Sequence, residues 1–410
     1  MQEWTHHFEK VVFILVTKII FISCKKENRM KKKIVVCFLT LLISISIFAT
    51  GCGKQEQITS SEYIAGKDDQ TCLDGYRDVA TSENGYYFLS NSFVYFYDSN
   101  SKKTHVLCNK PECAHDGEGC NAYINAMAIR YYERALYYVS CDTIETNEFY
   151  LWKMSEDGTE KERLFFLCAE EQEGEMSQLF LNQFLVHRGF VYYELQNMDS
   201  GKYEIIKRQL KKGAKEKVIY TCKEDSSMVE SLQASGNYLY FTVSHLFEEK
   251  YLQDICAYHI GKGKTDVLQK QISIAGGITA YDETVYYPSE GVLHCIGMDG
   301  KKKQVMKLPE DGKMTVYVNA KYISLDNINK LNLDEKTKQE DRYKKRCIYL
   351  YDKESGKLLT TFKTKNSDVF YLGYSHLILG GDSGEEFQLL SVEQLQEKNP
   401  DWKSLQLREE

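Results

Sequence analysis

The sequence predicts an all-β fold, a β-propeller of seven four-stranded blades behind an N-terminal leader. Three observations carry this expectation. A Tyr-rich strand recurs seven times, a Gly-centred turn recurs after it, and a basic and apolar leader ends in a cysteine.

Residues 235–268, SGNYLYFTVSHLFEEKYLQDICAYHIGKGKTDVL, set the pattern. Tyr238, Tyr240 and Thr242 alternate with Leu239, Phe241 and Val243. Period two separates the faces of a strand, and Tyr, Phe, Val and Thr suit a pleated surface. Apolar residues on one face and tyrosines on the other imply that both faces are covered, as in stacked sheets. Residues 256–260 read as the next strand. Gly261-Lys262-Gly263-Lys264 supplies the positive φ of a tight hairpin, and 265–268 return.

The Tyr-rich strand recurs as Tyr86-Tyr87-Phe88-Leu89, Ala135-Leu136-Tyr137-Tyr138-Val139, Phe190-Val191-Tyr192-Tyr193 and Tyr238-Leu239-Tyr240-Phe241. It continues as Thr284-Val285-Tyr286-Tyr287, Lys321-Tyr322-Ile323-Ser324 and His376-Leu377-Ile378-Leu379. The steps between first residues run from 37 (284 to 321) to 55 (135 to 190, 321 to 376). Propeller blades repeat at about 40–50 residues with four strands each. The turns Asp157-Gly158, Lys212-Gly213, Gly261-Lys262-Gly263, Asp299-Gly300 and Ser355-Gly356 fall in phase with the strands. Seven units over residues 75–395 make seven blades the count. Six or eight stay open, because terminal repeats are often atypical.

The 410 residues are 43% hydrophobic and 27% charged with only 4 Pro, the composition of an ordinary globular chain. Thirty Tyr against three Trp argue for blades that are not of the WD type.

The leader begins twice. Residues 11–23 are apolar but interrupted by Lys18, and too short to span a bilayer. Met30 opens a better signal: Lys31-Lys32-Lys33, an apolar run over 34–48, then Ala49-Thr50-Gly51-Cys52. Residues 30–51 have signal-peptide length, which makes 1–29 an upstream over-extension. Ala-Thr-Gly-Cys resembles the lipobox of bacterial lipoproteins, and that resemblance makes Cys52 the lipidated first residue of the mature chain. A genuine N-terminal membrane helix, or a secreted protein with a free Cys52, is the rival reading. Residues 52–74 read as a tether, polar and without periodicity. The first 51 residues hold 8 Lys/Arg and 3 Asp/Glu, which leaves 44 against 56 and a net charge of −12 beyond them. That balance discourages nucleic acid and anionic lipid as partners.

Most chemical motifs dissolve on inspection. Gly381-Asp382-Ser383-Gly384 resembles a serine-protease nucleophile loop, but stands where blade seven needs a turn. Gly263-Lys264-Thr265 lacks the earlier glycine of a phosphate loop, since Tyr258 occupies that place. The charged insertion 327–346 reads as a solvated loop, and residues 396–410 as a polar tail able to add a closing strand or a short helix. Cys168 and Cys222 end the last strand of a blade, Cys256, Cys295 and Cys347 lie in the strand before the Gly turn, and all read as small core residues.

Cys108-x4-Cys113-x-His115-x4-Cys120 is the exception. Three thiols and an imidazole are the inventory of tetrahedral zinc, though the spacing is not that of a standard finger. Outside the membrane a disulfide is equally natural, and free thiols are the third reading. In each bonded case the role is a structural clip, with no other cofactor expected. Cys-Asn-Lys-Pro-Glu-Cys-x-His followed by Cys-Asn-Ala-Tyr, behind a lipobox and before Tyr-rich blades, resembles a group of uncharacterised lipoproteins of Gram-positive gut bacteria. These are related to propeller domains of unknown function. The resemblance implies an extracytoplasmic, membrane-anchored propeller, and no catalytic residues.

Two functions from different classes follow. One is a non-enzymatic, lipid-anchored module that binds an envelope protein, peptide or glycan at a channel mouth. The other is a carbohydrate-active hydrolase or lyase with acids converging from several blades. Carboxylates about 5–10 Å apart at a mouth favour glycoside chemistry, and an apolar or mixed rim favours binding.

Overall fold

The computed structural model describes residues 62–71, 78–141, 148–169, 184–196, 200–223, 227–247, 250–274, 276–310, 313–328, 344–363, 369–380, 387–397, 401–405 and 407. They form a seven-bladed β-propeller. Each blade is an antiparallel sheet whose four strands follow one another in chain order. The blades span residues 79–106, 126–169, 185–221, 228–272, 279–307, 315–363 and 369–405.

The seven Tyr-rich segments are the second strands of the seven blades: Gly85–Ser90, Ala135–Cys141, Phe190–Gln196, Tyr238–Phe247, Thr284–Ser289, Tyr322–Asp326 and His376–Gly380. Gly158, Gly213, Gly263, Gly300 and Gly356 sit at φ of 65–74° in the turns between third and fourth strands, as the sequence predicts. The Gly381-Asp382-Ser383-Gly384 turn expected in blade seven lies outside the described residues.

The core lies between blades rather than within a single sheet. Tyr86, Tyr192, Tyr193, Tyr240 and Tyr287 are almost wholly buried, as are Phe88 and Phe241. Leu239 and Phe241 of blade four share a cluster with Leu185, Tyr192 and Ile205 of blade three. The recurring Tyr is therefore blade packing, as its recurrence at one strand position implies.

All four strands of blade one and all four of blade seven are contiguous in sequence, so no strand is exchanged across the seam. Phe88 and Phe387 meet there with ring centroids 4.8 Å apart. The tail contributes the outer strand of blade seven, Lys403–Leu405, after a 3-10 helix at Val392–Gln396 capped by Ser391. The propeller thus runs past the expected end at 395, to Leu405.

Two expectations are corrected. Residues Asp69–Thr71, placed in the tether, form a strand that adds to the inner edge of blade four through Asp69↔Ser235, Gln70↔Ala234 and Thr71↔Gln233. Three residues carry too little periodicity to be read as a strand. Arg346, placed in a solvated insertion, is buried in an ion pair with Asp326. Residues 329–343 of that insertion, and the whole leader with Cys52, lie outside the described residues. Among the described residues, no helix is long and apolar enough to cross a membrane.

Candidate functional site

The first strand of each blade faces the central channel. Side chains stitch these strands together around the ring. Arg130 Nε donates to the Phe184 carbonyl at 2.9 Å, Ala280 N to Gln233 Oε1 at 2.7 Å, and Asn319 Nδ2 to the Gly373 carbonyl at 3.1 Å. Inside this ring the strand Asp69–Thr71 occupies the side next to blade four. A cavity of about 100 Å³ remains between it and blades one, two, five, six and seven.

The segment leading into this strand is pinned across the mouth. Arg188 Nε donates to Asp68 Oδ1 at 3.1 Å, with both side chains about one-tenth exposed. Gly236 N donates to the Asp68 carbonyl at 2.9 Å. Ser235 Oγ donates to Asp69 Oδ1 at 2.7 Å, and Tyr63 donates to the other Asp69 oxygen. Burial pushes Asp69 up to about 6, against the opposing pull of the Tyr63 and Ser235 hydrogen bonds. Tyr63 in turn packs edge-on against Tyr281 of blade five.

Beside this segment opens a cavity of about 470 Å³, lined by Tyr131, Tyr132, Glu133, Arg134, Glu156 and Tyr374 among others. Arg134 pairs with Glu156 at 2.9 Å, Tyr131 donates to the same Glu156, and Tyr132 donates to Glu133 at 2.9 Å. The rim is mixed: aromatic faces with both signs of charge, Glu156 and Glu133 tied to Arg134 and the tyrosines, and Glu83 beside them. Sequence reading missed this mouth, because its residues come from separate blades and share no local motif.

The four residues singled out at 108–120 do meet. One donor atom from each of Cys108, Cys113, His115 and Cys120 lies within 4.8 Å of the others. His115 Nδ1 stands 3.3 Å from Cys120 Sγ. The three cysteines carry no disulfide in the structure. Cys120 is buried with Ala122 and Ile124 in the cluster shared by blades one and two, and Cys108 and Cys113 pack against it. Two tethers close the loop: Val94 N donates to the Ala122 carbonyl at 2.9 Å and Ile124 N to the Ser92 carbonyl at 2.7 Å. Burial pushes the Cys108 thiol up, but hydrogen bonds from the backbone N–H groups of Lys110 and Asn121 and from Cys120 and Cys113 together hold it below its ordinary value. Burial pushes Cys120 up to about 11. Cys168, Cys222 and Cys256 are buried as expected, whereas Cys295 and Cys347 are only half-buried.

No protein-family model matches the chain, and no curated protein matches it in sequence. Among solved structures, a prolyl endopeptidase is similar at a TM-score of 0.51 and 13% identity, over 81% of this chain and 50% of that one. The tricorn protease is similar at 0.47 and 12%, over 84% of this chain and 36% of that one. A putative 6-phosphogluconolactonase from Bacteroides fragilis is similar at 0.47 and 10%, over 81% and 94%. The chain spans half or less of the two proteases. At these identities the likeness shows the propeller fold alone.

Proposed function

We propose that the protein is a lipid-anchored, extracytoplasmic propeller that binds an envelope protein, peptide or glycan without catalysing a reaction. The observation that supports this reading is the mixed rim of the 470 Å³ cavity, which has the size of a ligand site. Tyr131 and Tyr374 offer aromatic faces, and Arg134, 86% exposed, offers charge. Among the described residues the channel cavity itself is lined by a single carboxylate, Asp69, already held by Tyr63 and Ser235. Glycoside hydrolysis draws on two carboxyl groups flanking the bond. The mouth cavity carries three, Glu83, Glu133 and Glu156, of which Glu156 is held by Arg134 and Tyr131 and Glu133 by Tyr132.

The anchor rests on the leader and on Cys52. Sixteen residues, 53–68, separate Cys52 from the channel strand. Those from Tyr63 on are held at the mouth, so the ten residues 53–62 set the reach, at most roughly 35 Å.

The test combines two variants in the producing cell. Cys52→Ser is expected to lose a metabolic fatty-acid label and leave the membrane fraction. Arg134→Ala with Tyr374→Ala is expected to remain anchored and folded, yet lose cross-linked partners in intact envelopes or spots on a glycan array. Label retained on Cys52→Ser would end the anchor. Unchanged capture by the double variant would end the binding site. Glycan cleavage abolished by Glu83→Gln or Glu133→Gln would establish the enzyme instead.

A further inference from the structure

We propose that Cys108, Cys113, His115 and Cys120 bind one zinc ion in a closed Cys3His site that clips the blade-one to blade-two connection to the propeller. The donors come from a thirteen-residue stretch and converge to within 4.8 Å of one another. Zinc takes thiolate sulfur at about 2.3 Å and imidazole nitrogen at about 2.0–2.1 Å, so neighbouring donors on a tetrahedron stand roughly 3.5–3.8 Å apart. The 3.3 Å between His115 Nδ1 and Cys120 Sγ is close to that spacing and assigns Nδ1 as the ligating nitrogen.

Two features separate this from a disulfide. A disulfide uses two sulfurs and leaves the third thiol and the imidazole without a part, whereas the structure turns all four donors to one point. The set of soft sulfurs with one imidazole matches zinc among the common ions.

The surroundings fit the charge of the filled site. Three thiolates and Zn²⁺ sum to −1, and binding to neutral thiols releases three protons. Lys161, from the fourth strand of blade two, donates to the Tyr123 carbonyl at 2.6 Å beside the cluster. Lys110 donates to the Gly119 carbonyl at 2.5 Å. Ala122 N lies 3.4 Å from Cys120 Sγ as an outer-shell donor to sulfur. The loop has no named strand between 107 and 125. Its end is held by the packing of Cys120, Ala122 and Ile124, while a Cβ at Gly117 or Gly119 would meet nothing within 4 Å, so the ion adds order to the part of the loop that packing leaves open.

The experiment uses the whole mature chain purified under reducing conditions. Elemental analysis is expected to give one zinc per chain. Cobalt in its place is expected to show tetrahedral d–d bands with sulfur charge-transfer absorption. His115→Ala is expected to weaken zinc binding more than tenfold. His115→Cys is expected to restore it and to strengthen the cobalt–sulfur band, a change that a merely packed histidine would not produce. Lys161→Met, which removes a charge near Cys120 and Cys108 but no ligand, is expected to weaken binding less than His115→Ala does. Should the variants fail to fold, the cobalt spectrum of the unaltered protein decides. A mass two protons low and indifferent to chelator would overturn the site. So would three thiols that alkylate freely with zinc present. Neither outcome depends on the anchor or on the partner at the channel mouth.

Discussion

Tyr86 and Ser375 join the first and last blades across 289 positions of chain, their hydroxyl oxygens 2.8 Å apart. The Tyr86 oxygen also receives the backbone N–H of Ser375 and of His376, each at 3.2 Å. Ser375 Oγ continues to His376 Nδ1 at 3.0 Å. A ring whose end blades exchange no strand needs such cross-seam bonds, because backbone ladders stop at each blade edge.

Tyr86→Phe keeps the ring and deletes that junction. It leaves two half-buried backbone donors without this acceptor, which is expected to cost about 1 kcal/mol. Denaturant unfolding should report the loss, with amide exchange of Ser375 and His376 rising more than that of blade four. Equal exchange across all blades would show that this tyrosine is not a seam fastener.

The turn glycines are expected to differ although their backbones match. Gly158 and Gly213 have φ of 74° and 72°. A Cβ at Gly158 would collide with the Leu107 carbonyl oxygen, next to the thiol cluster, while one at Gly213 would meet nothing within 4 Å. Gly213→Ala should cost about 1 kcal/mol, the left-handed penalty alone. Gly158→Ala should cost clearly more and disturb the 108–120 loop, measured by thermal melting and by thiol accessibility of Cys108. Equal costs would remove the contact from the account.

His187 is fully buried, with Nε2–H donating to the Gly236 carbonyl at 2.8 Å and Nδ1 without a partner. Burial holds it down to about 4, against an ordinary value near 6.5. The unfolded chain therefore binds the proton first as pH falls. The stabilisation is complete above about pH 6.5 and lost as pH drops through 4, a span worth about 3 kcal/mol. Asp69, raised to about 6, has the opposite sign: its share is present below about pH 4 and lost as pH rises through 6. His187→Gln should therefore flatten the loss of melting temperature between pH 7 and 4.5. Asp69→Asn should flatten the opposing slope. Parallel pH curves for wild type and both variants would contradict the assignment.

The fold was legible because its units repeat. All seven second strands and five hairpin glycines stand where the periodicity puts them. The turns between first and second strands of blades two and five were not legible, since Glu133-Arg134 and Asp282-Glu283 take left-handed conformations with no glycine or asparagine to mark them. The channel strand was hidden for another reason. Gln70 and Thr71 are polar, and the strand's place depends on Ser235 and on Tyr131, whose carbonyl accepts from Gln70 Nε2 at 3.3 Å, both far away in sequence. The thiol cluster was legible as an inventory from Cys108, Cys113, His115 and Cys120. Its convergence was not, because irregular spacing does not state where a loop folds back.

The insertion in blade six gives the last prediction. Its closing residue, Arg346, reaches Asp326 at the end of the second strand, Nη2 to Oδ2 at 2.6 Å, with the two side chains 2% and 0% exposed. Asp326 Oδ1 also accepts from Ile328 N at 3.0 Å, and Asn327 Oδ1 accepts from Cys347 N at 2.9 Å. The two ends of the insertion are thus locked at its stem, and a charged loop is carried on a buried pair. Arg346→Met leaves the Asp326 carboxylate buried and uncompensated, at an expected cost of about 3–5 kcal/mol. Asp326→Asn with Arg346→Met removes both charges and keeps an acceptor for Ile328, so most of that loss should return. A double-mutant cycle by urea unfolding measures the coupling. Additive losses would mean that the pair does not act as a unit, and that the stem is held by Asn327 alone.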